Sequence, residues 1–339
     1  MKSLFTKLTT LTIILLSIII SCSKKSSNEV VVYTSEDQLF SEPILKDFEA
    51  ETGIKVKALF DTEETKSTGV VNRLIAEKER PQCDVFWSND PVRPVILKNK
   101  GITTPYTSAS ATGIPDKFID PEQHWTGFSA RVRVIMYNTQ LIDEKNEPKS
   151  IFDYTRPRWK KNSAIANPLF GTTTFHTAAL FVALGDEKAK QFFSALKQNQ
   201  VRIVSSNGET RHLVANGEVA FGLMDTDDAY MSIIEGKQVK MIYPDQDGLG
   251  ALVVPNAVCL IKGSPNPENG KKLIDYLLSP AVEAKLAKME CAQLPLHSGV
   301  ELPENIQRLD NIKTMNIDYA EVAQKLEVIQ PFLKQWLGY

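Results

Sequence analysis

Val30-Val31-Val32-Tyr33, Ile54-Lys55-Val56-Lys57-Ala58-Leu59-Phe60 and Asp84-Val85-Phe86-Trp87 are the three runs that decide the fold. The first is short and apolar. The second alternates, as a half-buried strand does. Between them, residues 39–50 place Leu39, Ile44, Leu45 and Phe48 on one side of a helix, and Gly53 ends it. A second helix is expected over residues 68–78, ahead of the third strand. Strand, helix, strand, helix, strand is the rhythm of a parallel sheet covered by helices.

The rhythm restarts further on. Arg133-Val134-Ile135-Met136-Tyr137-Asn138 reads as a strand, and residues 174–184 as a helix opened by threonines and closed by Gly185. Residues 201–204 and 219–224 read as strands. Between them, Ser206 with Glu209 has the form of a capping box for a helix over 207–216. Residues 250–261 are almost continuously apolar, interrupted at Pro255-Asn256. Ser264-Pro265 and Ser279-Pro280 each place a capping residue before a proline, as helix starts do. The sequence contains no internal repeat, yet two α/β units of similar size are present.

A chain of 339 residues has room for two lobes of roughly 100 to 200 residues each. Its composition, 42% apolar and 24% charged, is that of a globular protein. The formal charge of −2 argues against nucleic acid, which needs a basic stripe. After Cys22 only Cys83, Cys259 and Cys291 remain, so at most one disulfide can form among them. Their apolar contexts favour buried free thiols. His124, His176, His212 and His297 are scattered and form no zinc spacing with cysteine.

At the start, Lys2 and Lys7 form a basic leader, and residues 8–20 are apolar but for Thr9, Thr10, Thr12 and Ser17. This reads as a secretory signal over residues 1–21, too short for a bilayer span of about 20 residues. Its end resembles the lipobox of bacterial lipoproteins, in which the cysteine, here Cys22, is acylated. Residues 22–28 are polar and read as a lipid-anchored tether. The remainder is then expected in the cell envelope, facing the periplasm or the exterior.

Several phrases converge along the chain: residues 32–35, Phe48-Glu49-Ala50-Glu51-Thr52-Gly53-Ile54, Ser88-Asn89-Asp90-Pro91, residues 129–138, Pro255-Asn256-Ala257-Val258, residues 273–279 and Ala292-Gln293-Leu294-Pro295-Leu296. In this order they resemble the substrate-binding lipoproteins and periplasmic proteins of ATP-driven importers, in the branch that contains ferric-ion-binding proteins. The resemblance runs from about residue 29 to 300. It implies an α/β, periplasmic-binding-protein-like fold: two lobes, hinge crossovers near 129–134 and 254–258, and the ligand in the cleft. Lobe 1 would comprise residues 29–130 plus 257–339, and lobe 2 residues 131–256.

In such folds ligands lie beyond the carboxyl ends of strands, at helix starts, which nominates particular loops. Ser35 and Glu36 follow the first strand, with Asp37, a hard-ion donor where ferric-binding relatives commonly carry histidine. Thr65 and Lys66 follow the second, where relatives often draw an acidic ligand, although Lys66 beside hydroxyls suits an anion. Asn89 and Asp90 follow the third. Thr172, Thr173 and Thr174 precede a helix and favour an oxyanion, with His176 in the first turn. The resemblance places a synergistic carbonate or phosphate there. Asp225, Asp227 and Asp228, with Tyr230, crowd one strand end and call for a cation. Relatives usually carry adjacent tyrosines at this point, so the departure sets Fe³⁺ itself against another hard ion or an amine. Residues 245–248 read as a turn near the second crossing.

The expected function is that of the substrate-binding component of an ABC importer. It would capture a small solute, a metal ion such as Fe³⁺ with a synergistic anion, and deliver it by lobe closure to permease and ATPase subunits. The implied protein is a non-enzymatic monomer without a resident cofactor, held at the membrane by its lipid. A phosphorylated organic solute or a polyamine is the alternative cargo. Two rivals differ in class: a Mg²⁺-dependent phosphatase using Asp225 and Asp227, and an adhesive surface lipoprotein.

Overall fold

The computed structural model describes residues 28–61, 68–303 and 306–339. The expected signal, Cys22, Thr65 and Lys66 therefore lie outside the described residues.

In the first lobe, β1 (Glu29–Thr34), β2 (Lys55–Phe60) and β3 (Val85–Ser88) are parallel, in the order β2-β1-β3. Helix α1 (Gln38–Thr52) buries Phe40, Ile44, Leu45 and Phe48 against this sheet, and Gly53, at φ 68°, ends it by donating its N–H to Glu49 O. Only glycine takes that conformation without strain. Helix α2 (Thr68–Ala76) and helix α3 (Val92–Asn99) cover the sheet's other connections. A short strand, β4 (Thr103–Thr104), follows α3.

The molecule turns on β5 (Thr126–Asn138), a strand of 13 residues, all buried. Its first half pairs antiparallel with β10 (Val253–Ile261), out to Val132↔Val253. Its second half, from Arg133, pairs with β8 (Phe221–Asp225) and β9 (Val239–Ile242). The partner change between Val132 and Arg133 is the first crossover between lobes. The chain returns after β9 through β10, whose register with β5 slips at Pro255/Asn256. The second lobe adds β6 (Ser163–Ala166) and β7 (Arg202–Val204), parallel to each other, with β6 also parallel to β8. Its helices are α4 (Gly171–Leu184), α5 (Asp186–Gln198), α6 (Asn207–Ala215) and α7 (Thr226–Ile234).

The chain ends with α8 (Pro267–Leu277), α9 (Pro280–Lys288), α10 (Tyr319–Val328) and α11 (Gln330–Leu337). Ser279 caps α9 by accepting from Val282 N, as its sequence suggests, whereas α8 starts two residues later than expected, after Asn266. Residues 319–337, placed by sequence in the first lobe, lie against both. Helix α10 packs on α3 and α4, and the Phe332 ring of α11 meets Phe181 and Phe193 edge to face. Cys83, Cys259 and Cys291 are buried free thiols.

Candidate functional site

The carboxyl ends of β1, β3, β6, β7 and β8 converge on one cavity of about 230 Å³ between the lobes. Asp37 and Asn89 line it from the first lobe, and Arg131 from the hinge strand. The second lobe supplies three helix starts: Thr172 and Thr173 of α4, Ser206 and Asn207 at α6, and Asp225, Asp227 and Asp228 at α7. Helix starts present bare N–H groups and a partial positive charge.

The floor is a closed network. Arg133 Nη1 donates to Asp225 Oδ1 at 2.8 Å and to Thr172 Oγ1 at 3.0 Å, and Nη2 to Thr173 Oγ1 at 3.2 Å. Thr172 Oγ1 donates to Asp225 Oδ2 at 2.7 Å, and Asn207 Nδ2 reaches the same oxygen at 3.3 Å. Burial works to raise the Asp225 carboxyl, but Arg133 and Arg131 outweigh it and hold the group below the usual range. Both Asp225 oxygens thus accept hydrogen bonds from within the floor.

The hinge side is looser. Arg131 lies 3.6 Å from Glu36 Oε2 in the first lobe and 3.8 Å from Asp227 Oδ2 in the second, and it donates to Asn89 O. Burial opposes its charge, yet Glu36, Asp227 and Asp225 together raise its pKa. Asp227 goes the other way: burial first, then neighbouring Asp228, push its carboxyl well above the ordinary value. Oxygens of Asp225, Asp227 and Asp228 lie within 4.8 Å of one another, the spacing of a cation site.

Among the described residues, the remaining sequence candidates fall outside the cavity lining. Ser35 and Asn89 pin β1 to β3, with Ser35 Oγ donating to Asn89 Oδ1 and accepting from Asn89 N, both at 3.0 Å. Glu36 is buried beneath Arg131 and accepts from Gln293 Nε2 at 2.8 Å. Asp90 caps α3, accepting from Arg93 N at 3.0 Å. Thr174 is buried with its hydroxyl unpaired. His176 lines a separate pocket of about 30 Å³ among Leu180, Phe192, Phe193 and Leu223, and neither ring nitrogen has a partner. Tyr230 packs on an apolar cluster. Asp245 accepts from Ser150 Oγ and Ile151 N, away from the cleft.

The structure adds Arg131 from the expected hinge, Arg133 from the strand that follows it and Asn207 from a helix start. Arginines two apart in the apolar run Arg131-Val132-Arg133-Val134-Ile135 share one face of a strand. A buried arginine there must find acids, and that was the available signal. Ser206 does cap α6, accepting from Glu209 N, but Glu209 turns its carboxylate to Ser205, so the box is half formed.

The profile of bacterial extracellular solute-binding proteins matches residues 86–322. The iron uptake protein A1 of Synechocystis is 28% identical over 298 residues, 84% of this chain and 81% of that one. A putative 2-aminoethylphosphonate-binding periplasmic protein of Salmonella typhi is 27% identical over 237 residues, 68% of this chain and 67% of that one. The structure of iron-bound HitA from Pseudomonas aeruginosa superposes with a TM-score of 0.82 at 22% identity, over 92% of this chain and 99% of that one.

Proposed function

Because the chain belongs to the bacterial extracellular solute-binding protein family, we propose that it captures a metal ion together with a small anion and delivers the pair to an ATP-driven permease. The carrying observation is that acids and helix starts share one cavity. The carboxylates of Asp37, Asp227 and Asp228 line the same small space as the helix starts at Thr172–Thr173 and Ser206–Asn207. The former suit a hard cation and the latter an oxyanion. Five acids, Glu36, Asp37, Asp225, Asp227 and Asp228, gather around Arg131 and Arg133 and leave the cleft net negative. Among the described residues no tyrosine lines the cavity, so the cation is held by carboxylates. A volume of about 230 Å³ lies below the ~300–1,000 Å³ of drug-sized pockets and suits a small cargo. Closure about the β5 and β10 crossings follows from contacts made with both lobes at once, and the cargo leaves chemically unchanged.

A second reading has its own observation. A guanidinium and helix starts that share one cavity with carboxylates also match a small zwitterion bearing an amine and a phosphonate, the class named for the Salmonella relative.

A melting series separates the two. Ferric ion with citrate or phosphate is expected to stabilise the protein more than either component alone. A ligand at 100 times its Kd contributes about 2.7 kcal/mol, a few degrees in a chain this size. A larger shift with 2-aminoethylphosphonate, metal-free, establishes the second reading instead, and no shift with any of them overturns both. The same proposal has the protein exported and anchored through an acylated Cys22. Palmitate labelling in cells is expected, and its persistence in Cys22→Ala would refute the anchor.

A further inference from the structure

The segment Ala292-Gln293-Leu294 carries part of the family resemblance but touches no ligand position. It lies at the hinge. Ala130 and Leu294 exchange backbone hydrogen bonds of 2.6 and 2.7 Å. Gln293 is completely buried and joins two groups: its Oε1 accepts from Asn256 Nδ2 at 2.7 Å, and its Nε2 donates to Glu36 Oε1 at 2.8 Å. Asn256 stands at the register slip of β10 and also donates to Ser129 O on β5 at 2.9 Å. Ser129 and Ala292 both hold left-handed backbone, at φ 38° and 43°. For residues other than glycine this conformation is strained and persists only where the surroundings enforce it. Glu283 helps do so by accepting from Ser129 N at 2.7 Å.

Both crossover strands therefore end, through two amides, on the carboxylate that faces Arg131. That carboxylate competes with Asp227 for one guanidinium, at 3.6 against 3.8 Å. An arginine freed from Glu36 would close on Asp227 and form the short, bidentate pair that guanidinium and carboxylate prefer. Asp227 would then be taken up by the protein itself. We propose that Gln293 is a positioning residue: by fixing Glu36 it keeps Arg131 shared between the lobes and leaves Asp227 available to the cargo. This rests on the cleft reading above and adds a residue that lines no part of the cavity.

The test is Gln293→Met, close in volume, alone and combined with Asp227→Asn, titrated with ferric citrate. Gln293→Met is expected to weaken binding about tenfold, or about 1.4 kcal/mol. In the Asp227→Asn background it should cause no further loss, the non-additivity of a shared unit. Equal losses in both backgrounds overturn the proposal. A second readout needs no ligand. The Arg131 Nε–H resonance of the unliganded protein should shift in Gln293→Met toward that of a paired guanidinium, and an unchanged resonance overturns the proposal. If wild type does not bind ferric citrate, the cargo reading fails, and the resonance still decides the role of Gln293. Should Gln293→Met not fold, the swap Glu36→Gln with Gln293→Glu keeps the hydrogen bond but moves the charge off Arg131. Reduced affinity in the swap is expected, and wild-type affinity refutes the idea.

Discussion

Arg131 and Arg133 stand two residues apart on one strand, on the same face and both buried, yet they do different work. Arg133 lies past the partner change in β5 and finds all its partners in the second lobe, at 2.8 to 3.2 Å. Arg131 lies before the change, and its carboxylate partners come from different lobes at longer range. A floor whose hydrogen bonds are made within one lobe can stay fixed while the hinge bends. A guanidinium shared between lobes cannot, because its two distances change with the angle. The cleft thus combines a prebuilt floor with a hinge-side wall whose electrostatics depend on lobe position.

Substituting each arginine breaks the comparison most sharply. Arg133→Met leaves Asp225 buried without its charge partner, and removing one member of a buried pair costs about 3–5 kcal/mol. Urea unfolding should show this loss in full, whether or not cargo is present. Arg131→Met should cost less, about 1–3 kcal/mol, because its carboxylate partners stand off at 3.6 and 3.8 Å and Asp227 lines the cavity. Its larger effect should be on binding, where the dependence of the metal on its anion weakens. Equal stability losses in the two variants would show that both arginines serve the scaffold alone.

The same contrast explains what the sequence could and could not reveal. Strand-end loops and helix starts are local features, so Thr172, Thr173, Asp225, Asp227 and Asp228 could be picked out from neighbouring residues. The hinge positions were legible from the resemblance and from the Pro255-Asn256 interruption. His176 was misplaced through a small error of phase. Gly171, at φ 57°, starts α4 three residues earlier than expected. The threonines then fill the first turn, and His176 falls a turn deeper, about 5.4 Å, behind the floor. Tyr230 likewise sits in the second turn of α7 and turns to the core. Asn256 and Gln293 were out of reach for a different reason: their partners come from segments up to 257 residues apart, and only the folded chain brings them together.

Two buried histidines carry the comparison into pH. Behind the floor, burial and then the Arg133 charge drive His176 down to about 3, so it stays neutral in the folded protein. Beside the hinge, the hydrogen bond to Glu283 raises His297, whose Nδ1 lies 2.7 Å from the carboxylate and whose Nε2 meets Ser110 O at 3.0 Å. The signs are opposite. The unfolded chain binds a proton at His176 below about pH 6.5 and the folded chain does not. Stability therefore falls as pH drops from about 6.5 toward 3, by up to about 1.4 kcal/mol per unit. His297 contributes stability that is complete below about pH 6.5 and disappears as pH rises through its raised folded value. Replacing His176 with Leu should remove the acid-side loss and raise stability at pH 7 by about 1–3 kcal/mol, since two unpaired ring nitrogens leave an apolar pocket. Glu283→Gln should flatten the smaller alkaline-side slope and release Ser129 N from its charged acceptor. Melting curves from pH 4 to 9 on both variants check this. If His176→Leu melts lower than wild type at every pH, its ring has a partner in solution and the floor is not sealed from behind.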